Sequence, residues 1–188
     1  MLRLARALLD GGARLIQLRA KTLPSGRFLE EAESLVEAAS AYGASVVVND
    51  RVDLAVLAHA AGAHVGQDDL APAKARDLLG PDAIIGYSTH TVTQLDAAVR
   101  EPVTYVAVGP VFGTRTKETG YEPVGLDLVR QAVKLARGLP VVAIGGITLA
   151  TAPDVIAAGA SSVAVIGDLL AGGDPTQRAA AYCRTLGL

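Results

Sequence analysis

The stretch VIAAGASSVAVIG at residues 155–167 runs from a small-residue helical segment, through Gly159-Ala160, into a short β-branched run. The same order returns as LLDGGARLIQLR at 8–19, ASAYGASVVVND at 39–50 and LAHAAGAHVGQ at 57–67. There the pairs Gly12-Ala13, Gly43-Ala44 and Gly62-Ala63 stand at the junction. A glycine just past a helix takes the left-handed conformation that closes the last turn, and the following residue feeds a strand. Working outward, the sequence predicts strands at 14–19, 45–49, 63–65, 83–87, 104–108, 141–144 and 162–166. Most are continuously apolar (VVV, AII, VVAI, VAVI), as befits parallel strands covered on both faces.

Helical spacing fills the intervals. Phe28, Leu29, Ala32, Leu35, Val36 and Ala39 share one helix face. Thr91 with Gln94, and Thr151 with Asp154, read as capping boxes that open two further helices. No Pro/Ser-rich linker interrupts the alternation, which predicts an α/β fold with a parallel sheet in one domain over 1–188.

An open doubly wound sheet and a closed (β/α)8 barrel both satisfy that alternation, and the polar residues decide between them. Chemically useful groups end nearly every strand: Gln17 and Arg19; Asn49 and Asp50; Gln67, Asp68 and Asp69; Ser88 and His90; residues 114–117; Gly145-Gly146; Gly167-Asp168. A barrel collects all such ends at one mouth, whereas an open sheet gathers them only around its switch point. The barrel is the expected architecture. Seven strands are read where eight are required, and the chain opens on a helix, so the strand unaccounted for is the first.

Composition narrows the function classes. The chain is 51% apolar and 19% charged, with 17 Lys+Arg against 19 Asp+Glu. That balance excludes a disordered chain, a coiled coil and a protein that grips nucleic acid through bulk positive charge. One cysteine, Cys183, cannot form an internal disulfide, and three histidines beside it do not make a structural zinc site. No apolar run approaches the ~20 residues that span a bilayer. The opening MLRLARALLDGGAR mixes Arg and Leu as targeting segments do, but Asp10 and the Gly11-Gly12 stop make it an amphipathic helix. A cytoplasmic protein without nucleic-acid or membrane partners is expected.

Candidate chemistry lies at the strand ends. RLIQLRAK places Gln17 and Arg19 on one side of a strand and Lys21 just beyond it. A guanidinium fork and an ammonium point charge converging there suit phosphate or diphosphate; the competing reading is a solvated basic loop. Asp50 and Asp69 close two successive strands in SVVVNDRVD and AHVGQDDL. With the neutral oxygen of Asn49 they make a hard oxygen environment for Mg²⁺ shared with a substrate phosphate. Each Asp could instead cap a helix. GYSTHT offers Ser88, Thr89, His90 and Thr91 in a loop opening a helix, with a capping or packing role as the alternative for His90; His59 and His64 read as packing residues.

The segment from Gly109 to Tyr121 is long, irregular and rich in Thr and Gly, in the manner of a lid. Thr114, Thr116 and Lys117 could close over an anion there. Gly145, Gly146 and Gly167 occupy the last two strand ends, where barrels commonly bind phosphate through backbone N–H groups. The residues thus outline two anion sites in one mouth, one metal-assisted and one metal-free. Such a plan joins a diphosphate-activated substrate to a monophosphate substrate, with the cations stabilising the departing diphosphate.

The motifs QLRAK, VVNDRVDLA, HVGQDDL, GYSTHT, VGPVFGTRTK and AIGGI, in that order across nearly the whole chain, resemble the thiamine phosphate synthase family, whose patterns include QLR-x-K and G-x-S-x-H-T. The resemblance implies a (β/α)8 barrel. It implies a transferase that couples 4-amino-2-methyl-5-hydroxymethylpyrimidine diphosphate to 4-methyl-5-(2-phosphooxyethyl)thiazole and releases diphosphate with Mg²⁺. Carried onto this chain, it implies that Asp50 and Asp69 bind Mg²⁺. Gln17, Arg19, Lys21, Asn49, Ser88 and Lys117 would surround the pyrimidine diphosphate. Arg19, Lys21, Ser88 and Lys117 would take catalytic roles. Thr114, Thr116, Gly146, Ile166 and Gly167 would hold the thiazole phosphate. The implied mechanism is dissociative, which accounts for the absence of an obvious nucleophile.

Three departures stand out. Ala20 occupies a position where the family often has Glu, Gly167 replaces a usual Ser, and the family's first strand is absent. A truncated chain is the expectation, leaving strands 14–19 and 162–166 with unpaired edges open to homo-oligomer formation. The rival readings are a thiazole tautomerase-like isomerase, which needs no diphosphate or metal site, and an inactive barrel that binds phosphate without turnover.

Overall fold

Strand and helix alternate from one end of the chain to the other in the computed structural model, which describes residues 1–113 and 121–187. The order is α1 (Leu2–Asp10), β1 (Leu15–Leu18), α2 (Ser25–Ser40), β2 (Ser45–Asn49), α3 (Val52–Leu57), β3 (Gly62–Val65), α4 (Pro72–Leu79) and β4 (Ile84–Thr89). It continues with α5 (Val92–Ala98), β5 (Tyr105–Val108), α6 (Gly125–Ala136), β6 (Val141–Ile144), α7 (Ala152–Ala157), β7 (Ser162–Ala164) and α8 (Pro175–Leu186). Thr114, Thr116 and Lys117 lie outside the described residues.

All seven strands are parallel and pair in chain order, β1-β2-β3-β4-β5-β6-β7. An open doubly wound sheet reverses its strand order at a switch point, and no reversal occurs here. The sheet is a barrel wall one strand short of eight. Among the described residues β1 pairs only with β2, and β7 only with β6.

Alternation along each strand divides the side chains between two environments. The outward set is apolar and meets the helices. Val46, Val48, Ala63, Val65 and Ile85 pack with Phe28, Leu35 and Leu54. Val106, Val108 and Val141 pack with Leu95, Leu128 and Ala132. Ala143 joins Val111, Val129, Val155 and Tyr182. With so few aromatics, these layers are built from Val, Leu, Ile and Ala, and the inward set is left to carry the polar groups.

Register aligns that inward set in rows. Asn49 pairs with His64, His64 with Gly86, and Gly86 with Tyr105. Gly86 has a steric reason to be glycine: an added Cβ would lie 2.2 Å from Tyr105 Cζ and 2.4 Å from His64 Nδ1. The Tyr105 ring crosses the space that a Gly86 side chain would fill.

The helix-to-strand junctions hold in three of the four repeats. Ala13 N donates to Leu8 O and Gly12 N to Leu9 O, with Gly12 at φ 104°. The same two bonds form at Gly43-Ala44 and Gly159-Ala160. The fourth repeat corrects the reading. Gly62 is the first residue of β3, where a Cβ would sit 1.8 Å from the carbonyl oxygen of Ile84. The left-handed turn after α3 falls instead on His59, at φ 51°, with His59 N on Val56 O and Ala60 N on Ala55 O.

Two further readings divide. Thr91 caps α5, accepting from Gln94 N, and the Gln94 side chain reaches back one residue further, to His90 N at 2.8 Å. Thr151 does not cap α7 through its side chain, because its hydroxyl accepts from Thr148 N at 3.0 Å and so serves the preceding loop.

A histidine in the left-handed region carries a steric cost that glycine does not. His59→Gly is therefore expected to raise stability by about 0.5–1 kcal/mol, the usual scale of such replacements. Chemical denaturation read by circular dichroism measures it, and an unchanged or lower midpoint would contradict this account of the turn.

Candidate active site

The carboxylates that the sequence placed at successive strand ends do meet. Asp50 follows β2 at φ 63°, a conformation that Asp tolerates better than most residues. Its N–H donates to the carbonyl of His64 at 2.9 Å. Its Oδ2 lies 3.2 Å from the Lys21 ammonium. Asp69, in the turn after β3, accepts from Gly66 N at 2.7 Å and lies within hydrogen-bonding reach of Asp50. Burial pushes the Asp69 carboxyl above the usual carboxylate range. The Gly66 N–H opposes that rise, Asp50 adds to it, and Lys21 opposes it again.

Neither carboxylate caps a helix: α3 starts after Arg51 and α4 after Ala71. Two carboxyl groups held together, one of them raised, are what a hard divalent cation would relieve. Among the described residues no three His, Cys, Asp or Glu side chains gather as a metal site. A cation on Asp50 and Asp69 would draw its remaining oxygens from Asn49, water or a bound phosphate. Asn49, the last residue of β2, is buried.

Ser88 corrects the sequence reading. β4 extends to Thr89, so Ser88 belongs to the strand rather than to a loop, and it is only 3% exposed. Its hydroxyl bonds His64 Nε2 at 2.8 Å, while His64 Nδ1 bonds the Tyr105 hydroxyl at 2.9 Å. Gln17 on β1 reaches the same Tyr105 hydroxyl. Burial pushes the Tyr105 phenol up to about 12, with the Gln17 bond pulling the other way, so it stays protonated at neutral pH. A file Gln17–Tyr105–His64–Ser88 thus crosses the inward face of four strands.

His64 and Tyr105 were not singled out as site residues in the sequence. The available signal was His64 itself, a polar residue inside the apolar run AHV. Arg51 was also passed over. It bonds Asp53 at 2.9 and 2.6 Å and Ser25 at 3.0 Å, joining the turn after β2 to the start of α2.

A second assembly forms at the ends of β6 and β7. Gly145 and Gly146 have φ 90° and 65°. A Cβ on Gly145 would strike Pro110, and one on Gly146 would strike Gly113 O and Phe112. Val111 N donates to Ile144 O and Phe112 N to Gly145 O, so the segment after β5 starts against the loop after β6. Ile166 and Gly167 lie past the end of β7, and both are exposed. Gly167 leads into a short 3-10 turn, Asp168–Leu170. Arg19, also exposed, stands one residue past β1.

His90 follows the packing alternative. Its ring stacks on Tyr121 at 4.1 Å, and its Nδ1 bonds the carbonyl of Gly109 at 2.5 Å.

Comparison with known proteins bears on the family and the fold. A family model described as thiamine monophosphate synthase matches residues 1–169. A thiamine-phosphate synthase of Synechococcus sp. (strain WH7803) is 46% identical over 147 residues, covering 78% of this chain and 41% of that protein. A thiamine-phosphate synthase of Roseiflexus castenholzii is 43% identical over 149 residues, covering 79% of this chain and 65% of the relative. The chain thus spans less than two thirds of the length of these curated relatives. The solved structure of a thiamine phosphate pyrophosphorylase from Pyrococcus furiosus superposes with a TM-score of 0.91 at 30% identity, covering 99% of this chain and 89% of that one.

Two outcomes test the site. Asp69→Asn removes the raised carboxyl while keeping an acceptor for Gly66 N. Without metal at neutral pH it should melt a few degrees higher than the parent, on the scale of about 1 kcal/mol per few degrees. It should also lose any stabilisation by millimolar Mg²⁺; equal stabilisation of both proteins would sink the assignment. His64→Leu strands the buried Ser88 hydroxyl and takes one of two partners from Tyr105, at about 1–3 kcal/mol for an unsatisfied group. Denaturant titration should show a loss of that order, and a neutral result would mean that the file is not maintained.

Proposed function

The chain belongs to the thiamine monophosphate synthase family, and from that membership we propose that it couples the hydroxymethylpyrimidine diphosphate to the thiazole phosphate, forming thiamine phosphate and diphosphate. The observation that carries this reading is the meeting of Asp50 and Asp69 beside Lys21 at the ends of β2 and β3. An isomerase acting on the thiazole alone has no use for a carboxylate pair with a cation at its side.

In the proposed reaction Arg19 and Lys21 bind the diphosphate, whose charge grows as the C–O bond to the pyrimidine methylene lengthens. Mg²⁺ held by Asp50 and Asp69 would supply further charge neutralisation for that leaving group. Gln17 and Ser88 orient the pyrimidine, each anchored by the file through Tyr105 and His64. Asn49 presents a neutral amide beside the metal pair. Gly146 and Gly167 offer backbone N–H groups to the thiazole phosphate, with Ile166 against its apolar part. Thr114, Thr116 and Lys117 would complete the site from the segment after β5. Diphosphate leaves first with the bonding electron pair, and the thiazole nitrogen then attacks the methylene carbon of the pyrimidine-stabilised cation. No side chain has to take a proton, in keeping with a site that holds cations and hydrogen-bond donors rather than a nucleophile and base.

No helix among the described residues is long and apolar enough to cross a membrane. A cytoplasmic location, small-molecule partners and self-association go with the proposal. A second reading is a barrel that binds phosphate ligands without turnover.

Mg²⁺-dependent release of diphosphate from the pyrimidine substrate on adding the thiazole phosphate tests the coupling. Asp69→Ala should abolish that release and leave thiazole phosphate affinity, read by calorimetry, within about twofold. Equal loss of both would count against two separate anion sites, and intact binding with no release by the parent chain would favour the second reading.

A further inference from the structure

Around the metal-free anion site, a carboxylate with no role in the reaction above is held by more partners than any other acidic group among the described residues. Asp168 follows Gly167 directly, and its side chain is 12% exposed. Its Oδ1 accepts from Arg178 Nη2 at 2.8 Å. Its Oδ2 accepts from Arg178 Nη2 at 2.8 Å, Tyr182 OH at 2.5 Å and Leu149 N at 2.9 Å. Arg178 Nε also donates to the Asp168 backbone carbonyl at 3.2 Å. Arg178 and Tyr182 come from α8, whereas Leu149 belongs to the loop after β6, three residues beyond Gly146.

One carboxylate therefore joins the two loops that carry the phosphate-binding glycines. The backbone–backbone hydrogen bonds of the turn after β7 are local, Leu169 N to Ile166 O, Leu170 N to Gly167 O and Ala171 N to Asp168 O. Among the described residues, the bond from Leu149 N to Asp168 is the only hydrogen bond between the loop 145–151 and the turn 165–171. Glycine has only its backbone N–H to offer an anion, and that group is as well placed as the backbone that holds it. A bare carboxylate beside a phosphate site would repel the ligand, and the Arg178 guanidinium cancels that charge in a two-pronged pair.

We propose that Asp168 is a positioning residue for the thiazole phosphate site: locked by Arg178 and Tyr182, it sets the separation between the Gly145-Gly146 loop and Gly167. The inference rests on the coupling function above. It concerns one substrate only, because among the described residues none of Asp168, Arg178, Tyr182 and Leu149 shares a hydrogen bond or ion pair with Lys21, Asp50 or Asp69.

Steady-state kinetics with each substrate varied in turn, together with calorimetric titration of the thiazole phosphate, tests it. Asp168→Ala should raise KM and Kd for the thiazole phosphate by about tenfold while KM for the pyrimidine diphosphate changes less than about twofold. Asp168→Asn, which keeps an acceptor for Leu149 N, should fall between parent and Asp168→Ala. Should Asp168→Ala fail to melt cooperatively, Tyr182→Phe keeps the ring in its core and removes one bond; it should raise the same KM by about threefold. A lowered melting temperature with both KM values unchanged, or an equal rise in both, overturns the proposal and leaves the clamp a matter of stability alone. A parent chain that binds the thiazole phosphate without turnover refutes the coupling function, and Kd then decides the clamp. A parent chain that neither binds nor turns over overturns both.

Discussion

Parallel pairing in unbroken chain order is the constraint from which the rest of the structure follows. Each strand must return to the same end before the next can pair, so every connection carries a helix across the outside and every strand finishes at the same rim. Groups separated by tens of residues along the chain thereby become neighbours. Lys21, Asp50 and Asp69 follow three consecutive strands and meet because those strands are adjacent. The glycine loops after β6 and β7 meet for the same reason.

That arrangement makes the inner surface the costly part of the molecule. The outer face of the sheet is covered by apolar helix surface and needs only volume to be satisfied. The inner face must bury His64 and Ser88 with their polar atoms paired. It does so through the file that includes Tyr105, and the file exists only because Gly86 leaves room for a ring to cross from β5 to β3. The result is a rigid backing for Gln17 and Ser88, formed by residues that do not lie at the strand ends where function is usually sought. At the ends of β6 and β7 the Asp168–Arg178 pair, with Tyr182 and Leu149, ties one loop to the next.

Much of this was legible in the residues. The strand predictions at 45–49 and 141–144 match β2 and β6 to the residue, and the others differ by one or two positions at an end. Continuous β-branched runs between helical periods have few other solutions. The misses share one cause, which is that a local pattern cannot say which of two chemically similar partners is nearer. Gly62 looked like a helix cap, but Ile84 of a neighbouring strand claims its space and His59 takes the turn instead. Thr151 looked like a cap, and Thr148 claims its hydroxyl. Ser88 looked like a loop residue until the length of β4 was set by pairing with Tyr105–Val108.

The sequence by itself determined the alternation of elements, the parallel class, the sequential barrel order and the carboxylates and cations of the rim. Those follow from periodicity and from the chemistry of residues that have no reason to be apolar. Tertiary structure alone decided which of the rim residues touch. It also decided that His64 is a polar bridge rather than packing, and that Asp168 belongs to Leu149, Arg178 and Tyr182. A hydrogen bond depends on distances of a fraction of an ångström between strands distant in the chain, and no spacing along one strand contains that information.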